Sequence, residues 1–185
     1  MALLIAGVLL WSAAHLFKRA APGLRARMGE PGKGLIALLL VVAVVMMWFG
    51  YRAAPYLPVW TPPEVLKHVN NLLMVFAFYL FGVGAARGLL AARIRHPQLT
   101  AVKIWAVAHL LVNGDVASLV LFGGLLAWAV VEVVVINRSQ PWDRPTDVSI
   151  GGDAKALAIG LVLMAVVLAI HVWLGVWPFG GDGPG

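Results

Sequence analysis

Apolar residues along this chain fall into long blocks, separated by short stretches that hold most of the charge, proline and glycine. A helix that crosses a bilayer needs roughly 20 mostly apolar residues. Blocks near that length recur from end to end. The pattern predicts an all-α, polytopic transmembrane helical bundle of about six spans, with no separate soluble domain. One membrane domain covers residues 1–179, and the Gly/Pro-rich stretch 180–185 is expected to be a disordered tail.

The first block is Ala2 to about Phe17, followed by Lys18, Arg19, Arg25, Arg27 and Lys33 around Pro22 and Gly23. The second runs from Gly34 to about Tyr51. Pro55, Pro58, Pro62 and Pro63 then mark a loop whose Tyr56 and Trp60 suit the headgroup level. The third block is about Val65 to Val83, and a basic loop follows with Arg87, Arg93, Arg95, His96 and Pro97. The fourth is short, about Thr100 to Val112. It closes on Asn113-Gly114-Asp115, which reads as a tight turn with Gly114 at positive φ. The fifth is Val116 to Ile136, and the sixth begins near Asp153 and ends at Trp177-Pro178. The pairs Gly123/Ala127 and Ala156/Gly160 have the four-residue spacing that lets helices approach closely.

Charge orients the bundle. Loops after the first, third and fifth spans carry Lys18, Arg19, Arg25, Arg27, Lys33, Arg87, Arg93, Arg95, Arg138, Arg144 and Lys155. The other side holds Arg52 and Lys67. The positive-inside rule places both termini on the non-cytoplasmic side. The first block has no positive residues before it, so it reads as a retained span and not a cleaved signal.

Composition sharpens this picture. Of 185 residues, 62% are hydrophobic and 12% charged, well away from soluble domains. The net charge of +6 sits in short loops, which points to anionic lipid headgroups and away from nucleic acid. The chain has no cysteine, which excludes disulfides, thiolate metal sites and cysteine catalysis. No Gly-rich phosphate loop is present.

Ionisable residues inside spans are costly and usually face the bundle interior. His15 closes the first span, with Trp11 one turn before it. Lys67, His68, Asn70 and Asn71 open the third. Trp105, His109 and Asn113 share one face of the fourth. Glu132 lies in the fifth, near the basic end, where it is expected to pair with an arginine or snorkel. His171 lies late in the sixth. Two inward-facing histidines on different helices suffice as axial ligands for a haem. His15 with His109 is the favoured pair, and His68 with His171 is a second. Satisfied core or interfacial histidines are the plainer alternative. Met46, Met47, Met74 and Met164 are potential sulfur ligands, though methionine in spans is mostly filler. Asp115 adds a carboxylate at the mouth of the histidine-bearing helix.

From Arg95-His96-Pro97-Gln98 through Trp105-Ala106-Val107-Ala108-His109 to Asn113-Gly114-Asp115, the chain resembles the NnrU family of bacterial membrane proteins. That family is similar to the zeta-carotene isomerase of plants and cyanobacteria, a haem b membrane enzyme. The resemblance covers most of the chain. It implies an inner-membrane protein with haem b ligated by His15 and His109. Trp105 would then pack on the macrocycle, and Arg93 or Arg95 would pair with its propionates. It also implies a redox, gas-ligand or denitrification-support role in nitrite or nitric oxide metabolism. Two departures argue against an isomerase that exchanges iron ligands. Ala106 stands where the isomerase has cysteine, and Ala127-Trp128 stand where it has a paired histidine. The rival readings are a haem-dependent isomerase of a long apolar polyene, and a cofactor-free assembly or transport component. Lipids, and an apolar or gaseous ligand, are the expected partners.

Overall fold

The computed structural model describes residues 1–179; the expected disordered tail at 180–185 lies outside the described residues. Every long apolar block is helical, and no strand occurs among the described residues. The helices are α1 (Ala2–Ala20), α2 (Pro22–Arg27), α3 (Gly29–Arg52), α4 (Val65–Ala85), α5 (Pro97–Val112), α6 (Val116–Ser139) and α7 (Ile150–Trp173). A π-helical turn, Leu119–Gly123, is set into α6. A 3-10 turn, Leu89–Ala92, precedes α5.

Five helices, α1, α3, α4, α6 and α7, are long and apolar enough to cross a membrane. The fourth expected span, α5, is apolar but has 16 residues. At 1.5 Å per residue it extends roughly 24 Å, somewhat short of a hydrocarbon core of about 30 Å. The first basic loop is more ordered than its charge suggests. Pro22 opens α2 at a first-turn position, where its missing N–H costs nothing. Gly29, at φ 56°, makes the break before α3. Lys33 then joins the first turns of α3 and pairs with Glu30 at 2.8 Å.

The described chain forms two compact units. The first comprises residues 1–61 and 113–139. Here α3 runs antiparallel to α1. The backbone of Leu4 lies against Gly50, and a Cβ on Gly7 would come within 3.0 Å of Met47 and the Ala43 carbonyl. α6 runs parallel to α1, with Gly124 against Val8 and Glu132 against Arg19. The expected small-residue contact at Gly123 is shifted by one position. Gly123 faces open space, whereas a Cβ on Gly124 would meet Val8 at 2.7 Å.

The Asn113-Gly114-Asp115 turn also differs from expectation. Gly114 does not adopt positive φ. Glycine is needed there because a Cβ would collide with the Trp60 carbonyl oxygen. The Gly114 carbonyl accepts from the backbone N–H groups of Val59 (2.7 Å) and Trp60 (3.1 Å), so the turn is stitched to the proline-rich loop. Asp115 caps α6, accepting from Ser118 N (3.0 Å) and Ser118 Oγ (2.5 Å). Tyr51 Oη shares a hydrogen bond with the same hydroxyl at 2.8 Å.

Among the described residues, the second unit comprises residues 62–112 and 140–179. Both α5 and α7 run antiparallel to α4. Gly84 lies against Gln98 on the α5 side. On the α7 side, Gly82 meets the Ala156 carbonyl, and a Cβ on Gly160 would approach the Phe78 carbonyl to 2.7 Å. The Ala156/Gly160 pair therefore does pack a helix interface. Leu80, Val83, Ala86, Ala101 and Ala156 form the buried core here. Within each unit these helix directions are those that successive crossings of one membrane require. Much of the remaining helix surface, such as Leu9, Leu38, Val41, Phe49, Leu72 and Val162, is apolar and exposed, as lipid contact demands.

Candidate functional site

The intramembrane polar residues gather at two places, one in each unit. In the first unit, Trp11, His15 and Arg19 follow one another at four-residue spacing and share a face of α1. His15 Nδ1 lies 3.0 Å from the Trp11 carbonyl oxygen. A carbonyl oxygen accepts and never donates. Nδ1 is therefore the donor of this bond. The ring is flanked by Trp11 (centroids 4.3 Å apart) and Trp128 of α6 (4.6 Å). The two indoles meet edge to face at 5.5 Å and 83°. One turn further on, Arg19 Nη1 donates to Glu132 Oε1 at 2.5 Å.

In the second unit the same device recurs on α5. His109 Nδ1 lies 2.9 Å from the Trp105 carbonyl oxygen, and the two rings are 5.2 Å apart. As at His15, Nδ1 is the donor of this bond. Asn70, buried on α4, steadies this stretch. With its amide oriented to satisfy both ends, it donates to the Ala108 carbonyl at 3.1 Å. His171 of α7 lies within electrostatic reach of His109. Its Nδ1 is likewise bonded to a carbonyl oxygen four residues back, that of Val167, at 2.8 Å. His68, the other member of the second expected pair, is exposed on α4.

The other candidates are spread out. Arg95 donates to the Gln140 carbonyl at 2.6 Å, and Arg93 is exposed. His96 is half-buried just before α5, and Asn71 sits beside Asn70. Asn113 and Asp115 belong to the turn that opens α6, where Asp115 acts as a helix cap. Outside the spans, Arg87 pairs with Asp147, and this contact holds the Asp147 carboxyl below the usual aspartate range.

Two participants were not singled out from the sequence. Trp128 is 6% exposed and completes the aromatic walls of His15. Arg19, taken as a topology signal, is the partner of Glu132. The available signal was spacing: residues 11, 15 and 19, and residues 128 and 132, form stripes at helical period.

The fold and these polar stripes define a multi-pass helical membrane protein with histidines inside its spans. The NnrU protein family model matches residues 3–178, nearly the whole chain, and the protein belongs to that family. No curated protein and no solved structure matches the chain.

Proposed function

We propose that this NnrU protein binds haem b in the bacterial inner membrane, with His15 and His109 as axial ligands, and serves a redox, gas-ligand or nitrogen-oxide-metabolism role. The reading is carried by the Trp-x-x-x-His device that occurs once in each unit. In both copies Nδ1 donates to the tryptophan carbonyl four residues earlier, which fixes the orientation of the ring. Histidines that ligate metals are typically oriented in this way, with the second nitrogen donating to a carbonyl. The donor set fits the group. Among the described residues, no three His, Cys, Asp or Glu side chains converge as a bare-ion site. A porphyrin supplies four iron ligands itself and asks the protein for two imidazoles.

When bound through both imidazoles, haem would supply a one-electron centre, and would offer a site to a diatomic gas only where one imidazole gives up its place. The protein's own share is orientation and exclusion of water. The Trp11 and Trp128 rings restrict the His15 imidazole, and Asn70 anchors the α5 backbone beside His109. Trp105 offers a flat apolar face, and Arg93 and Arg95 offer guanidinium groups to carboxylates. Ala106 is fully buried and has no donor atom, so ligand exchange by a side chain at that position finds no support.

The test is the absorption spectrum of the detergent-purified protein and of His15→Ala, His109→Ala and His171→Ala variants. A Soret band that is lost or shifted in the first two variants and unchanged in the third is the expected result. Wild-type protein without a Soret band after expression with sufficient haem would overturn haem binding. Loss in the His171 variant with retention in the His15 variant would move ligation to the second unit.

A further inference from the structure

Four side-chain atoms of the first unit are buried and have no hydrogen-bond partner: Nε1 of Trp11, Nε of Arg19, Nε1 of Trp128 and Oε2 of Glu132. They do not lie at scattered places. All four lie along the seam between the parallel helices α1 and α6, in two successive pairs: the indoles meet at 5.5 Å, and Arg19 grips the other oxygen of Glu132 at 2.5 Å. Trp128 and Glu132 are 6% and 5% exposed, so bulk solvent does not serve them. Buried polar atoms in native proteins are almost always bonded, to protein or to ordered water. An indole N–H resting on the other indole is a weak bond, and it leaves the two charged groups unserved.

The inventory is three N–H donors and one carboxylate acceptor. An anion would satisfy the donors and be repelled by Glu132. A cation would satisfy Glu132 and be repelled by Arg19. Water accepts from the donors and donates to the carboxylate. We propose that the Trp11–Arg19–Trp128–Glu132 array is a hydrated site within the helix seam, at which Glu132 exchanges protons with the membrane face bearing Lys18.

In that exchange a hydronium O–H bond breaks, a bond to Glu132 Oε2 forms, and neutral water remains beside a carboxylic acid. The reverse step releases the proton, and no electron moves. Other charged groups on the packed elements are engaged or exposed. On α3, Glu30 pairs with Lys33, Arg52 lies over Trp48 and Tyr51 bonds Ser118. On α2, Arg25 binds the Gly29 carbonyl and Arg27 is exposed. On α1 Lys18 is exposed and His15 Nδ1 is tied to Trp11. On α6 Arg138 is exposed, and Asp115 caps its own helix. The site stands whether or not haem is bound, because it does not use His15 Nε2.

The test uses the full-length protein in nanodiscs transferred to D₂O. Ultraviolet resonance Raman follows indole N–D exchange, with Trp11→Phe and Trp128→Phe variants assigning the bands. Infrared difference spectra between two pH values follow the neutral carboxylic acid stretch. The expected result is exchange of both indoles within minutes, as fast as that of exposed Trp173. It is accompanied by a D₂O-sensitive carboxyl band that is absent from Glu132→Gln. Arg19→Lys keeps the charge and removes the Nε donor, and should shift that band without abolishing it. Indoles that hold their protons as long as the mid-helix amides of α1 and α6 would overturn the hydrated site. Fast indoles without a Glu132 band would overturn the proton exchange.

Discussion

Removing either partner of the Arg19–Glu132 pair should be costly, and unequally so. Breaking a buried ion pair from one side costs about 3–5 kcal/mol, because the remaining charge is stranded. The side chains of Arg19 and Glu132 are 22% and 7% exposed. Arg19 has a long, partly exposed stem, so in Glu132→Ala its guanidinium can snorkel toward headgroups and recover hydration. That variant should lie near the low end, about 3 kcal/mol. Glu132 is too short to reach the headgroups, and at a pH where its carboxyl is ionised Arg19→Ala should lie near the high end, about 5 kcal/mol. The double variant Arg19→Met/Glu132→Leu strands no charge and also removes two of the four orphaned atoms. It should fall within roughly 1–2 kcal/mol of wild type. Equilibrium unfolding in mixed micelles, followed by tryptophan fluorescence, measures all three. Additive losses in the double variant, or a Glu132 variant less stable than the Arg19 variant, would refute the reasoning.

Other expectations concern packing, capping and pH. Gly82→Val places methyl groups against the Ala156 carbonyl and should destabilise by about 3 kcal/mol or more through overpacking. Gly123→Ala faces open space and should gain roughly 0.4–1 kcal/mol from reduced unfolded-state freedom, as read from the same unfolding curves. Asp115→Ala removes the cap of α6 and one partner of the buried Ser118 hydroxyl, and should cost about 1–2 kcal/mol. Asp115→Asn, which keeps an acceptor, should cost less. The Asp147 carboxyl is held down chiefly by its hydrogen bond from Arg87. A depressed native value means that the contact stabilises above the ordinary aspartate range and is lost as pH falls through the lowered value. Limited proteolysis of residues 140–149 should accelerate in that acid window at low salt. Asp147→Asn should cleave at the fast rate at every pH, and high salt should blunt the difference.

The helices were legible in the sequence because a span has to satisfy its own backbone, which leaves long apolar runs with charges confined to their ends. The short fourth span was visible as an apolar stretch before the polar Asn113 turn. Boundaries were less so: Lys33 and Glu30 look like loop residues by charge alone, yet they pair along one helix face. Gly114 shows why local turn rules were insufficient. The residue is dictated by the carbonyl of Trp60, distant in the chain, and not by its own φ. The same holds for Gly123 and Gly124, where the choice between neighbours depends on which one Val8 meets. At the candidate site, His15 and His109 were visible as polar residues in apolar spans, while Trp128 was noted as a substitution and Arg19 as an orientation signal. Their partnership across α1 and α6 is a tertiary fact.

The two histidine sites also differ in what surrounds the shared device, and the difference suggests separate tasks. In the second unit the support is an amide: buried Asn70 holds the backbone beside His109. In the first unit the histidine is walled by two indoles and followed by an ion pair whose members retain unmet bonding capacity. A charge pair in an apolar span costs desolvation that a leucine would not, so packing alone does not account for it. Under the proposed haem ligation, an amide-held backbone suits a histidine that must keep one orientation. An ionisable neighbour with vacant bonding positions suits a ligand whose surroundings change charge. If His15 and His109 hold one haem as proposed, the His15 side carries an ion pair one turn away, while the His109 side is braced by an uncharged amide.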